Sequence, residues 1–125
     1  MQVKDLMTRN VRTVQEDDGV REICTLLTKH KISGIPVVGK AGKLKGFVSE
    51  RDIIAAVPKK HFTTMKARQL MSRKVCSVPS DAPLTHASKL FSQKKFRLLP
   101  VLKAGKLVGI IARKDIVQQM IGHYY

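Results

Sequence analysis

The chain has 125 residues, enough for a compact body with a shared core. Apolar residues make up 43%, which argues against wholesale disorder, and no apolar run approaches the ~20 residues needed to span a bilayer. Lys and Arg total 24 against 9 acidic residues, and a net charge of +15 draws in polyanions such as nucleotides, nucleic acid or anionic lipid without choosing among them.

From the N-terminus, Met1 to Asp5 lacks the charged and apolar blocks of a secretory signal, so a cytoplasmic location is expected. A short turn of helix is predicted around Leu6-Met7, then an extended stretch from Val11 to Val14. Asp17 or Asp18 offers an N-cap for a helix whose buried stripe is Val20, Ile23, Cys24 and Leu27, spaced i, i+3, i+4, i+7. An apolar strand over Ile35-Pro36-Val37-Val38 follows, and a turn through Gly39 to Gly42 makes a hairpin with Leu44 to Val48. A last helix begins near Ser49 and carries Ile53, Ile54 and Val57.

The same order then repeats. Val3-Lys4-Asp5-Leu6-Met7-Thr8 matches Ala67-Arg68-Gln69-Leu70-Met71-Ser72 at an offset of 64, which also pairs Val14 with Val78, Asp17 with Asp81 and Pro36 with Pro100. One residue drops out of the second hairpin turn, and an offset of 63 pairs Gly46 with Gly109 and Asp52 with Asp115. In copy two the helix stripe is Leu84, Ala87, Ser88 and Phe91, with Asp81 as candidate cap and Pro83 in the first turn. The paired strand is Leu99-Pro100-Val101-Leu102, and the last helix carries Ile116, Val117 and Met120. The proline in each strand cannot donate to a ladder, so that side should be an edge or face an opening. Boundaries follow as 1–58 for repeat one, 59–66 for the linker, 67–122 for repeat two and 123–125 for a tail.

Cys24 and Cys76 have no C-x-x-C spacing, and His30, His61, His86 and His123 show no metal-ligand spacing, so metal catalysis has no support. The most specific local feature is Gly46-Phe47-Val48-Ser49-Glu50-Arg51-Asp52, where a strand gives way to a helix. Gly46 permits close backbone approach, Ser49 sits where free N–H groups favour phosphate, and Asp52 offers two acceptor oxygens to a ribose cis-diol. S-x-x-D is equally a capping-box variant that only satisfies orphan N–H groups, and taken alone that is the simpler reading.

The repeat as a whole resembles the CBS domain, named for cystathionine β-synthase. The family pattern runs from an early h-x-T/S-V segment to an apolar h-P-V strand and G-h-h-T/S-x-x-D. Copy one supplies Val11 to Val14, Ile35-Pro36-Val37 and Gly46 to Asp52; copy two supplies Val75 to Val78, Leu99-Pro100-Val101 and Gly109 to Asp115. The resemblance implies an α/β fold of tandem CBS repeats with pseudo-twofold symmetry, each a small sheet flanked by two helices. It implies a non-enzymatic module binding adenosyl ligands such as AMP, ADP, ATP or S-adenosylmethionine, with no required cofactor and a homodimeric assembly.

By motif position the resemblance places Thr13, Val14, Gly34, Ile35 and Pro36 around the base in site one, Asp52 on the ribose and Ser49 near the ribose-phosphate. Site two uses Ser77, Val78, Leu98, Leu99, Pro100 and Asp115. Arg97 falls where some members hold phosphate, and Arg51 and Lys114 are further candidates of that kind; each is otherwise one more surface charge. Ala112 stands where copy one has Ser49, so site one is expected to bind more tightly. Basic clusters such as Lys59-Lys60-His61 and Lys94-Lys95-Phe96-Arg97 keep a nucleic-acid-binding module as the alternative, against which stand the 5% aromatic content and the absence of Trp. A protein partner is a further possible outlet, and no membrane role is expected.

Overall fold

The computed structural model describes residues 1–94 and 96–124. It divides into two compact units, one formed by Arg12–Val75 and the other by Met1–Val11 together with Cys76–Tyr125.

In the first unit the elements are β1 (Val14–Gln15), α1 (Val20–His30), β2 (Gly34–Val38), β3 (Leu44–Ser49) and α2 (Glu50–Ala56). A 3-10 turn at Phe62–Thr64 and the short α3 (Ala67–Leu70) complete it. The sheet order is β1-β2-β3, with β1 parallel to β2 and β3 antiparallel to it. The parallel pair requires a crossover, and α1 supplies it. Val20, Ile23 and Leu27 of α1 are buried as their spacing predicts, and Cys24 is half-buried beside them. They pack with Val14, Ile35, Val37 and Val48 of the sheet and with Ile53 and Ala56 of α2. The 59–66 segment also belongs to this body: Met65 is buried, and its carbonyl accepts from Val20 N at 2.9 Å.

Neither Asp17 nor Asp18 caps α1. The N-cap is Gly19, which has no side-chain acceptor. Asp18 is spent one turn earlier, where its Oδ2 accepts from Gln15 N at 2.7 Å, and Asp17 forms an ion pair with Arg68. α1 stops at Lys31, which is left-handed (φ 53°), and the Ile32 N–H returns to the Leu27 carbonyl at 3.0 Å.

The second unit repeats the plan with β4 (Val78–Pro79), α4 (Leu84–Gln93), β5 (Leu98–Lys103), β6 (Lys106–Ala112) and α5 (Arg113–Tyr124). Its sheet order is β4-β5-β6, parallel then antiparallel. Val78, Ala87, Phe91, Leu99, Val101 and Ile111 form the core with Val3. Ser88 is exposed, so the buried stripe of α4 runs through Ala87 and Phe91 with Leu84 and Leu90 half-buried. Pro83 is the N-cap and not a first-turn residue, and without a side-chain acceptor there the expected Asp81 cap is not made.

The N-terminal turn lies at Val3–Asp5, just before the expected Leu6-Met7. Its continuation adds a short bridge to the edge of β6. Thr8 N donates to Ile110 O at 2.8 Å, and Ile110 N returns to Thr8 O at 2.9 Å. The first unit has the same device, where Ser72 and Phe47 exchange bonds of 2.9 and 3.0 Å. Each bridge seats a methionine on a glycine. A Cβ on Gly109 would meet Met7 Sδ at 2.5 Å, and one on Gly46 would meet Met71 Sδ at 2.5 Å. Each Leu-Met-Thr/Ser segment is therefore docked on the hairpin of the other copy, not its own.

Candidate functional site

Sheet register builds the site. β2 pairs with β3 along its length, with Gly34 opposite Ser49 and Pro36 opposite Phe47. β1 pairs only with Val37 and Val38, so Gly34-Ile35-Pro36 has a strand neighbour on one side alone. The proline lies in the half of the strand that β1 does not reach, although it is itself buried. By the same parallel register Thr13 stands at the level of Pro36, and its side chain is exposed. Thr13, the Gly34–Pro36 backbone and Ser49 thus come to one end of the sheet. Val14, Ile35 and Pro36 are at most 2% exposed, backbone included, so they form the floor of this end of the sheet and Thr13 is its exposed side chain.

Ser49 and Asp52 form a complete capping box at the start of α2. Asp52 Oδ2 accepts from Ser49 N at 2.8 Å and from Ser49 Oγ at 2.9 Å, while Asp52 N donates to Ser49 Oγ at 3.1 Å. The capping reading of S-x-x-D is realised, and it leaves something over. Among the described residues Asp52 Oδ1 accepts no hydrogen bond, and both residues are only part-buried. Arg51, next to Asp52, is exposed.

The second site has the same frame with one bond fewer. Leu98 faces Ala112 across the hairpin, and β4 pairs only with Val101 and Leu102, leaving Leu98-Leu99-Pro100 without a neighbour on that side. Ala112 N donates to Asp115 Oδ2 at 2.7 Å, but no hydroxyl joins it. Val78 and Leu99 are core residues, Ser77 is half-buried, and Arg97 and Lys114 are exposed. The backbone of Arg97 is pinned by Arg113 N at 3.2 Å, and Arg113 Nη2 reaches the Lys94 carbonyl at 3.3 Å. Lys95, from the basic cluster read in the sequence, lies outside the described residues.

Phe47 is the residue that motif reading misses. Its ring lies over Gly34, so close that a Cβ there would sit 2.3 Å from Cε1. Copy two reverses the sizes, with Leu98 in place of Gly34 and Ile110 in place of Phe47. That exchange of bulk between diagonal cross-strand positions is the signal that could have found it.

A groove of about 600 Å³ lies elsewhere in the first unit, lined by α1 (Val20, Arg21, Cys24, Thr25, Thr28, Lys29) and by Phe62 and Thr63. It contains none of the motif residues. His30, at the end of α1, is held below the ordinary value of 6.5 by partial burial, then by the charges of Arg12 and Lys29. Among the described residues no group of His, Cys, Asp and Glu is placed to hold a metal ion, and no helix is long and apolar enough to cross a membrane.

The pattern that defines the CBS domain matches residues 3–59 and again residues 67–122. The chain belongs to the CBS-domain family. It is a tandem CBS pair, or Bateman module, and such pairs are regulatory binding modules rather than catalysts. This CBS pair is 36% identical to the CBS domain-containing protein YhcV of Bacillus subtilis, over 94% of this chain and 85% of that protein. Its fold matches the structure of CBSX2 in complex with AMP, from Arabidopsis thaliana, with a TM-score of 0.89 and 29% identity over 99% of this chain and 98% of the other. It also matches the CBS pair of protein MJ0100 in complex with 5′-methylthioadenosine and S-adenosyl-L-methionine. There the TM-score is 0.84, with 27% identity over 98% of both chains.

Proposed function

We propose that this CBS pair is a cytoplasmic regulatory sensor of adenosyl ligands, with AMP, ADP or ATP preferred to S-adenosylmethionine. The observation that carries the reading is the pairing, in each repeat, of an unpartnered strand stretch with an aspartate whose Oδ2 is fixed and whose Oδ1 is uncommitted. The stretches Gly34–Pro36 and Leu98–Pro100, each with no partner strand on one side, suit the edge of an adenine, and a carboxylate oxygen suits a ribose diol. The adenosyl complexes of CBSX2 and MJ0100, full-length matches to this chain, support the same ligand class. Exposed Arg51 and Lys114, next to the aspartates in sequence, and exposed Arg97, next to Leu98, favour phosphorylated forms.

In this reading repeat one spans 1–58 and repeat two 67–122, and the Ser49 hydroxyl makes site one the tighter. The output is a change in self-association, because a ligand shifts an assembly only by binding its states unequally. Ile54 of α2 and Val57 at its C-terminal end, 70% and 55% exposed, and the matching Val117 and Met120 of α5 supply apolar contact surface for a second copy. Calorimetric titration with AMP, ADP, ATP and S-adenosylmethionine tests the proposal. Asp52→Ala should remove most of the binding and Asp115→Ala less, while Asp52→Asn, which keeps an acceptor for the cap, should still weaken binding. The reverse order of the two alanine variants would refute the ranking, and no heat from any of the four ligands would refute the sensor.

A further inference from the structure

Both hairpin tips carry the same five residues. Lys40-Ala41-Gly42-Lys43-Leu44 and Lys103-Ala104-Gly105-Lys106-Leu107 form the longest identical run between the two copies. The turn accounts for only part of that identity. Ala41 and Gly42 have φ of 59° and 76°, and Ala104 and Gly105 have φ of 54° and 78°, the left-handed pair of a tight hairpin turn. That backbone favours Gly at the second position and makes no demand on the lysines outside it.

The lysines are in fact placed against their own electrostatics. Lys103 and Lys106 are direct cross-strand partners, and Lys43 N closes the corresponding turn on Lys40 O at 3.3 Å. Like charges so opposed are destabilising. The stem of Lys45 crosses Gly39, within 2.8 Å of where a Cβ would lie, and brings a third ammonium group to the first hairpin. All five lysines are exposed. Among the described residues the ion pair is Arg68–Asp17, so no carboxylate neutralises either tip. Repulsion of this kind is relieved by a bound polyanion.

We infer that each hairpin tip, taken by itself, is a contact point for the phosphodiester backbone of duplex nucleic acid. Each tip is an ammonium doublet on an apex of Ala and Gly. Neither tip exposes an aromatic ring on which an unpaired base could stack, nor a large apolar side chain that could enter an acyl layer. Contacts of this kind fix position on a backbone without reading bases, so binding is independent of sequence. The inference does not depend on the adenosyl site.

The test is fluorescence anisotropy with the full chain and labelled DNA and RNA duplexes of about 20 base pairs, titrated with salt from roughly 50 to 200 mM. Lys40→Gln, Lys43→Gln, Lys103→Gln and Lys106→Gln are combined in one variant. The control removes the same charge elsewhere, through Lys4→Gln, Lys29→Gln, Lys74→Gln and Lys89→Gln, all exposed and outside both basic clusters. The tip variant should reduce the slope of log affinity against log salt by about 2 for each tip in contact and lower affinity at least about tenfold at low salt. The control should lose less than half as much, and melting curves check that both variants fold. Tight binding of one duplex type alone assigns the partner as DNA or RNA. Equal losses in the two variants, no salt-dependent duplex binding, or stronger binding to phosphatidylserine-rich vesicles than to either duplex would overturn the inference.

Discussion

The ring of Phe47 occupies the space a side chain at Gly34 would need, with Cε1 2.3 Å and the Val48 carbonyl 3.1 Å from an added Cβ. Gly34→Ala should therefore cost about 1–3 kcal/mol by overpacking. The second copy solves the same volume problem with Leu98 and Ile110, so Phe47→Ile should restore much of the stability lost in Gly34→Leu. Urea denaturation of the two singles and the double gives the coupling directly. A double variant no more stable than Gly34→Leu would mean that the two positions do not trade volume.

Ser49 contributes an oxygen to the box that Ala112 lacks. Ser49→Ala should destabilise the first unit by about 1 kcal/mol, typical of a lost N-cap. Ala112→Ser should stabilise the second by about 0.5–1.5 kcal/mol if the equivalent bonds form. Chemical denaturation reads both. Unchanged stability in Ser49→Ala would place its hydroxyl at the service of ligand alone.

Gly46 and Gly109 hold the docked segments, and the obstacle is backbone as well as side chain. Added Cβ atoms would meet Ser72 O at 2.8 Å and Thr8 O at 2.9 Å. Gly46→Ala and Gly109→Ala should each cost about 1–3 kcal/mol. Hydrogen exchange should quicken at the Phe47 and Ser72 amides in the first variant, and at Thr8 and Ile110 in the second. Adding Met7→Ala to Gly109→Ala should not restore protection, because the Thr8 carbonyl still stands in the way.

Lys106→Glu would convert the repulsive Lys103–Lys106 pair to an attractive one. A gain of about 0.2–1 kcal/mol is expected at low salt, fading as salt is added. A loss of stability would mean that the two ammonium groups avoid each other without cost.

His30 is depressed in the folded chain by partial burial and by Arg12 and Lys29, so the unfolded chain binds its proton more readily. Its contribution to stability is then complete above 6.5 and is lost as pH falls through the folded midpoint. Arg12→Gln should move the imidazole midpoint up toward 6.5, which an NMR titration detects. A midpoint that stays put would remove Arg12 from the account.

Most of the fold was legible because each copy corroborates the other. The stripe Val20-Ile23-Leu27, the hairpins and the Ser49–Asp52 box are local patterns, and the structure contains all three. The caps assigned to Asp17, Asp18 and Asp81 were not, since a carboxylate near a helix start has several donors to choose from. Asp18 took the Gln15 amide and Asp17 took Arg68. The docking of Met7 on Gly109 and Met71 on Gly46 was out of reach for another reason. Self-similarity pairs Leu6-Met7-Thr8 with Leu70-Met71-Ser72 but does not say which sheet each one joins.

That exchange of segments bears on how such a chain could have arisen. A single unduplicated copy would carry a Leu-Met-Thr/Ser segment belonging to a neighbour and a hairpin edge awaiting one. Two such copies on separate chains would complete each other by trading ends. Fusing them turns the trade inward, so the covalent join replaces a concentration-dependent encounter with a permanent one. A cut through the 59–66 segment should therefore leave two pieces that hold together by mutual loan, each incomplete when purified alone.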